Sequence, residues 1–322
     1  MTSEPFVSVH RSRRSLHNQP VSEPRKPQIS WPLVFTVLSW GFNFVSLKLL
    51  YKEIDTPAVA LLRFGAMWAV LIPLCLFRGL SLKYDRSDAI RVLFSGFLAM
   101  GLYMVLFLEG MSMTSPAEGA IILATSPVLT YIISILVKAE RFNAAAMLNS
   151  LVAFIGVGLV ILGGSSSTGG TVLGNLVIFG SSIVWSGSIV YMKPLLRKYE
   201  ASQLLALSMP GGAIVMIPFG FHAVSVTHFA AISLAGWLMF LQVSILSGVV
   251  GFACYYLGVK QVGPSQTSLY QYFVPPTAMF FAWVLMGKTL APIQGVGFVI
   301  LLIGVILTTR ARQNLGEVRT ST

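Results

Sequence analysis

The feature that most constrains this sequence is a series of apolar stretches, each of about 20 residues, that begins near Ile29. Each stretch is long enough to cross the roughly 30 Å hydrocarbon core of a bilayer as an α-helix. The stretches are continuously apolar and do not alternate with polar residues, so they do not predict strands. The pattern predicts an all-α integral membrane protein with ten transmembrane helices, at residues 30–50, 58–77, 89–110, 116–138, 143–163, 172–192, 202–220, 232–257, 264–286 and 292–310.

The composition excludes a soluble enzyme. Of the 322 residues, 55% are hydrophobic and only 10% are charged, with a mean hydropathy of +0.78, whereas a soluble domain carries about 25% charged residues. Cys75 and Cys254 lie within apolar stretches and are interpreted as small core residues. The four histidines lie outside the apolar stretches, and no zinc or nucleotide motif occurs. The sequence therefore predicts no enzyme activity, no metal site and no cofactor.

The basic residues predict the orientation of the bundle. The net charge is +11, and eighteen of the 22 Lys and Arg residues fall on one side, which we call the basic end. Lys48, Lys52 and Lys288 fall on the other side, which we call the sparse end, and Arg63 alone falls inside a helix. By the positive-inside rule the basic end and both termini are cytoplasmic, in a plasma (bacterial inner) membrane. Because these charges face lipid headgroups, nucleic acid is not a predicted partner.

The two terminal segments are polar. Residues 1–28 are rich in Arg, Ser and Pro and predict a disordered basic cytoplasmic tail, and residues 311–322 predict a second cytoplasmic tail. Two alternative interpretations of the first segment remain. The pair Arg13-Arg14 could belong to a twin-arginine signal, and the basic, acid-poor composition could be that of an organellar transit peptide.

The sequence repeats itself internally. Residues 29–163 align without gaps in several helices with residues 172–310, and residues 164–171 form an external linker between them. Because each half holds five helices, an odd number, the second half enters the membrane from the opposite side, as in the inverted repeats of secondary transporters. The aligned pairs are Trp40 with Trp185, Lys48 with Lys193, Asp55 with Glu200, Pro73 with Pro218, Gly110 with Gly258, Pro116 with Pro264, Pro127 with Pro275, and Gly156 with Gly304.

Four segments carry a resemblance to a known family, and they are Trp40-Gly41-Phe42-Asn43, Leu62-Arg63-Phe64, Ser126-Pro127 and Lys138-Ala139-Glu140-Arg141. With the duplicated ten-helix pattern, residues 30–310 resemble the EamA-type permeases of the drug/metabolite transporter superfamily. The resemblance implies export or exchange of small metabolites such as amino acids, without ATP and without a prosthetic group. The sequence departs from the family at Lys288, where the family often has Glu, as the first half does at Glu140.

Paired prolines predict interrupted helices at the membrane midplane. Pro127 removes a hydrogen bond to the carbonyl of Leu123, and Pro275 and Pro276 remove two more in the second half. Transporters place their binding sites at such breaks, so we interpret the three prolines as hinges. A packing kink, whose free carbonyls are satisfied by neighbouring hydroxyls, is the alternative interpretation.

Arg63 is the most costly side chain to place in the membrane, so it is predicted to face a partner or a wet cavity. It could dock a substrate carboxylate, or it could form a structural ion pair or reach the interface. Glu118 is its natural partner, but Ser115 and Glu118 also fit a capping box at the start of the fourth helix. Both interpretations of Glu118 stay open.

The remaining candidate substrate contacts are polar or aromatic side chains far from the helix ends, which either line a pocket or pack in the core. They are Trp40, Asn43, Tyr103, Trp185, Ser188, Tyr270 and Gln271. Together these features predict a secondary active transporter that exports or exchanges a small molecule across the lipid bilayer, coupled to protons or to a counter-substrate. A non-transporting membrane partner protein and a lipid flippase are the alternatives.

Overall fold

The computed structural model describes residues 30–138, 142–163, 170–262, 267, 270–288 and 291–317. Within these ranges the chain forms helices and turns but no strands. The ten helical segments are α1 (Trp31–Leu50), α2 (Thr56–Phe77), α3 (Ala89–Met113), α4 (Pro116–Leu136), α5 (Ala144–Gly163), α6 (Val172–Lys198), α7 (Ala201–Ser225), α8 (234–262), α9 (271–286) and α10 (Pro292–Glu317). Seven of them are long and apolar enough to cross a membrane, and shorter apolar helices lie in α5 and α10.

The predicted all-α, ten-helix membrane fold is confirmed, although several helices run further than their apolar stretches. α6 continues to Lys198, α7 to Ser225 and α10 to Glu317. The predicted second tail at 311–322 therefore begins as helix. The predicted tail at 1–28, residues 139–141 and residues 164–169 of the predicted linker lie outside the described residues.

The helices pair in a pattern that is unchanged when the two halves exchange places. α1 packs against α8 and α9, and correspondingly α6 packs against α3 and α4. α2 packs against α7 and α8, while α7 packs against α2 and α3; α5 packs along α10. Such a pattern is expected when two five-helix units are related by a two-fold axis, which is the arrangement of an inverted repeat.

Helices α5 and α10 approach so closely that two glycines are required. A Cβ atom on Gly156 would overlap the backbone nitrogen of Leu301, and one on Gly304 would overlap the backbone nitrogen of Ala153. The two contacts are equivalent, since Gly156 aligns with Gly304 and Ala153 with Leu301 at the same offset. Small residues at such positions let the helix backbones pack together in a membrane.

The two ends of the bundle are closed by different kinds of contact. At the basic end Asp88 accepts hydrogen bonds from Lys198 (2.6 Å) and from the hydroxyl of Tyr199 (3.0 Å), and Lys260 pairs with Glu200 at 2.5 Å. The hydrogen bond from Lys198 lowers the pKa of Asp88, because it favours the ionised carboxylate. At the sparse end Lys48 donates to the carbonyl of Ser112 at 2.8 Å.

We expect Gly156→Ala and Gly304→Ala each to lower the melting temperature of the purified protein. Overpacking of a tight contact costs about 1–3 kcal/mol. Gly158→Ala and Gly295→Ala are matched controls in the same two helices, because no atom lies within 4 Å of a Cβ atom built at either position. Thermal unfolding in one detergent measures all four variants. Equal shifts in test and control variants would contradict the close approach of α5 and α10.

Candidate functional site

A cavity of about 50 Å³ lies where helices of both halves meet. Its wall includes six of the residues predicted from sequence, and they are Trp40, Asn43, Arg63, Tyr103, Trp185 and Gln271. A water molecule needs roughly 10–15 Å³ of such volume, so the cavity has room for a few waters in this conformation. The structure therefore brings together side chains from α1, α2, α3, α6 and α9 around one largely apolar cavity.

Arg63 contributes a buried cation to this wall. α2 begins at Thr56 with Pro57 in its first turn, and Arg63 follows about two turns into the helix. The side chain is 3% exposed, and its Nε and Nη1 atoms have no hydrogen-bond partner in the part of the chain that the structure describes. Tyr103 lines the same cavity. A buried guanidinium with free N–H groups is suited to bind an anion that enters the cavity.

Asn43 supplies a hydrogen-bond acceptor to the same cavity, whereas Arg63 supplies donors. Its side chain is 4% exposed, and among the described residues its Oδ1 atom has no hydrogen-bond donor. Asn43 lies on α1 and lines the same cavity as Arg63. The cavity thus offers free donors on one helix and a free acceptor on another.

Aromatic rings form much of the wall and the layer behind it. The rings of Trp40 and Trp185 meet edge to face with centroids 6.1 Å apart, and Phe252 lies 5.3 Å from the first and 5.6 Å from the second. Tyr103 lies 4.9 Å from Trp185, while Tyr255 lies 5.1 Å from Trp40. The two tryptophans occupy equivalent positions in the two halves, so the apolar part of the site is built by the repeat.

α4 and α9 are both interrupted beside the cavity. α4 consists of Pro116–Leu123 and Ser126–Leu136, and in α9 a 3₁₀ turn at Gln271–Phe273 precedes Val274–Met286. The hydroxyl of Ser126 donates to the carbonyl of Leu123 at 2.6 Å, which is the carbonyl that Pro127 leaves free. The break in α4 is therefore satisfied by a hydroxyl, as a packing kink would be, and residues of both breaks, Leu123, Ala124, Gln271 and Val274, border the cavity. Pro127 and Pro275 are buried next to the breaks, whereas Pro276 is exposed.

Two π-helical segments were not foreseen from the sequence. α3 contains one at Phe97–Leu102, and α8 contains one at Gln242–Gly251, at overlapping positions in the repeat. The indole nitrogen of Trp40 donates to the carbonyl of Ser247 in the second segment, at 3.2 Å. A π segment widens a helix and frees carbonyls, so it commonly accompanies a functional site.

Three predicted site residues lie apart from the cavity wall. Ser188 donates from its hydroxyl to the carbonyl of Trp185 at 2.7 Å, and Tyr270 packs against the core. Glu118 is fully buried nearer the sparse end. Its backbone N–H is capped by Ser115 at 3.2 Å, as the sequence predicts, but its carboxyl group contacts α6 and α10. Arg63 therefore lacks the carboxylate partner that we considered for it.

The carboxyl group of Glu118 contacts polar side chains of α6, α10 and the turn before α4. Nδ2 of Asn175 on α6 donates to Oε2 at 2.8 Å, and Nε2 of Gln294 on α10 donates to Oε1 at 2.7 Å. The hydroxyl of Thr114 lies 3.1 Å from Oε2 and also contacts Oδ1 of Asn175. Sequence reasoning missed Asn175 and Gln294, because a single polar residue in an apolar helix gives no sign of which distant residue it meets.

The fold and the site define a class of protein. A helical membrane protein with two related halves, a shared central cavity and interrupted helices beside it has the architecture of a secondary transporter.

The sequence profile of the EamA-like transporter family matches residues 31–162 and 172–310. The chain belongs to this family, as its resemblance to EamA-type permeases of the drug/metabolite transporter superfamily indicated, and it is a multi-pass membrane transporter.

Individual relatives agree with this assignment. An uncharacterized transporter, YyaM, from Bacillus subtilis is 27% identical over 83% of this chain and 88% of its own length. A probable terminal-alkyne amino-acid exporter from Streptantibioticus cattleyicolor is 24% identical over 87% of this chain and 93% of its own. One crystal structure superposes with a TM-score of 0.62 at 17% identity, covering 89% of this chain and 98% of the other, which shows a shared fold.

We expect Arg63→Met to raise the melting temperature of the ligand-free protein. An arginine at depth in a membrane helix costs at least about 2.5–3.5 kcal/mol, and here no ion pair among the described residues offsets that cost. Arg78→Met is the matched control, because Arg78 is exposed and donates to Ser202 at 3.2 Å. A fall in melting temperature for Arg63→Met would show that Arg63 is a structural residue.

Proposed function

We propose that this chain is a secondary active transporter that exports or exchanges a small metabolite carrying a carboxylate, such as an amino acid or an organic anion. The observation that carries the proposal is the buried guanidinium of Arg63, whose Nε and Nη1 atoms have no hydrogen-bond partner among the described residues, on a residue that lines a cavity shared by both halves. A binding site between two halves can face each side of the membrane in turn when the halves rock against each other.

The other residues of the wall refine the class of substrate. Arg63 binds the carboxylate, and the free Oδ1 of Asn43 accepts a hydrogen bond from an ammonium or hydroxyl group of the same molecule. Trp40, Trp185 and Tyr103 surround its apolar part. That the relative from S. cattleyicolor is named an amino-acid exporter supports this choice.

Alternating access requires the cavity to change size. At about 50 Å³ it holds a few waters, so an amino acid enters only after the walls separate. The interruptions in α4 and α9 let one part of each helix move relative to the other, and Pro127, Pro275 and Pro276 act as the hinges. The conformation described here is therefore a closed one.

The basic end faces the cytoplasm. Positively charged loops are retained on the cytoplasmic side of a membrane, and Arg78, Lys83, Arg86, Lys198 and Lys260 belong to this end. With this orientation the substrate is taken up at the basic end and released at the sparse end. An ion gradient or exchange for a counter-substrate supplies the energy.

The test is export from cells that overproduce the chain. We expect a carboxylate-bearing metabolite to accumulate outside these cells, and Arg63→Ala to reduce the export rate about tenfold or more, because a charge-assisted hydrogen bond contributes about 1.5–3 kcal/mol. Arg197→Ala is the matched control, since Arg197 is exposed at the basic end. Mass spectrometry of the medium across a metabolite panel measures export, and immunoblotting checks the amount of each variant in the membrane.

Two results would contradict the proposal. Unchanged export by Arg63→Ala would remove Arg63 from the binding site. If no solute in the panel crossed vesicles with the purified protein faster than protein-free vesicles, transport itself would lose its support.

A further inference from the structure

A second opening in the bundle lies at the basic end, between α3, α4 and α6. It is a cleft of about 740 Å³, and none of the described residues lines both this cleft and the central cavity. Its wall combines charged and apolar side chains, among them Asp88, Arg91, Lys198, Leu98, Ile133 and Val190. The cleft is therefore a separate space with charged groups as well as apolar ones.

The charged and apolar parts of the wall lie at different depths in the membrane. Arg91 is in the first turn of α3 and Lys198 is the last residue of α6, so both are at the basic end. The wall continues along α6 to Gly187, and the eleven residues between Lys198 and Gly187 correspond to about 16 Å of helix. Half of the hydrocarbon core is about 15 Å thick. The cleft therefore extends from the level of the lipid headgroups through much of one leaflet.

The cleft borders the surface that contacts lipid. Val137 belongs to its wall and is exposed, and Phe94 and Leu136 are exposed apolar side chains beside it. The ring of Phe94 packs against that of Tyr191, a residue of the wall, with centroids 5.2 Å apart. Because α3 and α4 are membrane-spanning helices, such exposed apolar side chains contact acyl chains. A lipid can therefore enter the cleft from the side.

Arg91 supplies the cation that is available at the mouth of the cleft. Lys198 is paired with the carboxylates of Asp85 and Asp88, whereas Arg91 makes no ion pair among the described residues. The pKa of Asp88 is lowered mainly by its hydrogen bonds to Lys198 and Tyr199, and the charge of Arg91 adds a smaller effect. The guanidinium of Arg91 is exposed, and its planar set of N–H donors matches the oxygens of a phosphate group.

The equivalent place in the second half is filled by side chains. At the offset that aligns Trp40 with Trp185, Gly187 aligns with Phe42, and at that of the paired prolines Ile133 aligns with Phe281. The rings of Phe42 and Phe281 pack with centroids 4.8 Å apart. A glycine and a smaller apolar residue thus leave space in the first half where two aromatic rings occupy it in the second.

The charges at the mouth also differ between the halves. Arg91 aligns with Met239, and Lys198 aligns with Glu53. The space and the basic residues therefore occur together, in one half only. The inverted repeat does not account for such a combination, whereas a ligand with an apolar chain and an anionic head does.

We propose that the cleft binds an anionic phospholipid from the leaflet at the basic end, with its phosphate at Arg91 and one acyl chain along Leu98, Ile133 and Val190. In the orientation proposed above this is the cytoplasmic leaflet, and basic pockets between transmembrane helices on that side bind anionic headgroups. Arg86, Lys138 and Arg197 are further exposed cations at the same end and attract anionic lipid to it. The lipid site does not depend on transport or on the transported solute.

The first measurement is native mass spectrometry of the purified full-length protein in detergent, with phosphatidylglycerol or phosphatidylcholine of identical acyl chains added. We expect the wild-type protein to retain phosphatidylglycerol severalfold better than phosphatidylcholine, and Arg91→Gln to lose this preference. Arg86→Gln is the matched control, because Arg86 is exposed at the same end but is not part of the cleft wall. The absence of a preference in the wild-type protein, its survival in Arg91→Gln or its equal loss in Arg86→Gln would overturn the proposal.

The second measurement tests the place of the acyl chain. A Cβ atom built on Gly187 meets only Cδ1 of Ile133, at 4.0 Å, so a larger side chain at this position has room in the cleft. We expect Gly187→Phe, which introduces the residue found at position 42, to reduce the retention of phosphatidylglycerol severalfold. Gly180→Phe is the matched control on α6, because no atom lies within 4 Å of a Cβ atom built there and Gly180 is outside the cleft wall. Wild-type retention by Gly187→Phe would show that the lipid binds elsewhere, and Gly187→Leu replaces this variant if it does not fold.

A competition experiment separates a lipid from a free anion. Glycerophosphoglycerol, the deacylated headgroup, carries the phosphate but no acyl chain, so we expect no displacement of phosphatidylglycerol when the two are present at equal concentration. Displacement would reduce the cleft to a site for soluble anions and would contradict the proposal. All three measurements are independent of any transported solute, so a failure of the export test leaves them interpretable, and their failure leaves the export test intact.

Discussion

In the hydrocarbon core of a membrane no water is available to satisfy a backbone polar group, and this constraint governs the centre of the molecule. α4 and α9 are interrupted there, and each interruption releases carbonyls that need a donor. The carbonyl of Leu123, which Pro127 leaves free, accepts from the hydroxyl of Ser126 at 2.6 Å. The hydroxyls of Thr125 and Thr277 donate at 2.7 Å to the neighbouring carbonyls of Ile122 and Phe273. Side chains within the interrupted helices themselves therefore supply donors at both breaks.

The frame around the cavity is symmetric, while its charges are not. Trp40 and Trp185 are equivalent, and so are the pairs of helices that pack together. Arg63 aligns with Ser208, however, and Glu118 with Gln266, so each ionisable group occurs in the first half only. The two halves therefore build an equivalent frame of helices, while the charged and polar groups at the cavity and at Glu118 differ between them.

The sequence was sufficient to predict features that depend on the length of an apolar stretch, on an internal repeat, or on the free-energy cost of burying a charge. Ten long apolar stretches require ten helices, and a repeat of five requires inversion. Arg63 could be selected because a buried guanidinium is costly anywhere in a membrane, and the structure places it at the cavity. The paired prolines located the interruptions, since each proline removes a specific hydrogen bond.

Contacts between residues that are far apart in the sequence could not be predicted from the sequence. Asn175 and Gln294 lie 57 and 176 residues from Glu118 in the chain, and a lone amide in an apolar helix is compatible with many partners. The π segments arise from a shift in backbone hydrogen bonding, which no residue type specifies. The capping interpretation of Glu118 was right for its backbone N–H, but the local motif could not indicate where its carboxyl group points.

The interruption in α4 sets apart a short piece of helix that borders both Glu118 and the cavity. Pro116–Leu123 is a helical piece about 12 Å long, and it carries Glu118 near one end and the cavity-lining residues Ala120 and Leu123 towards the other. Ala124 and Thr125 separate it from Ser126–Leu136. Nδ2 of Asn175 on α6 and Nε2 of Gln294 on α10 donate to the carboxyl group of Glu118. The position of one wall of the cavity that Arg63 also lines therefore depends on contacts with helices of the second half.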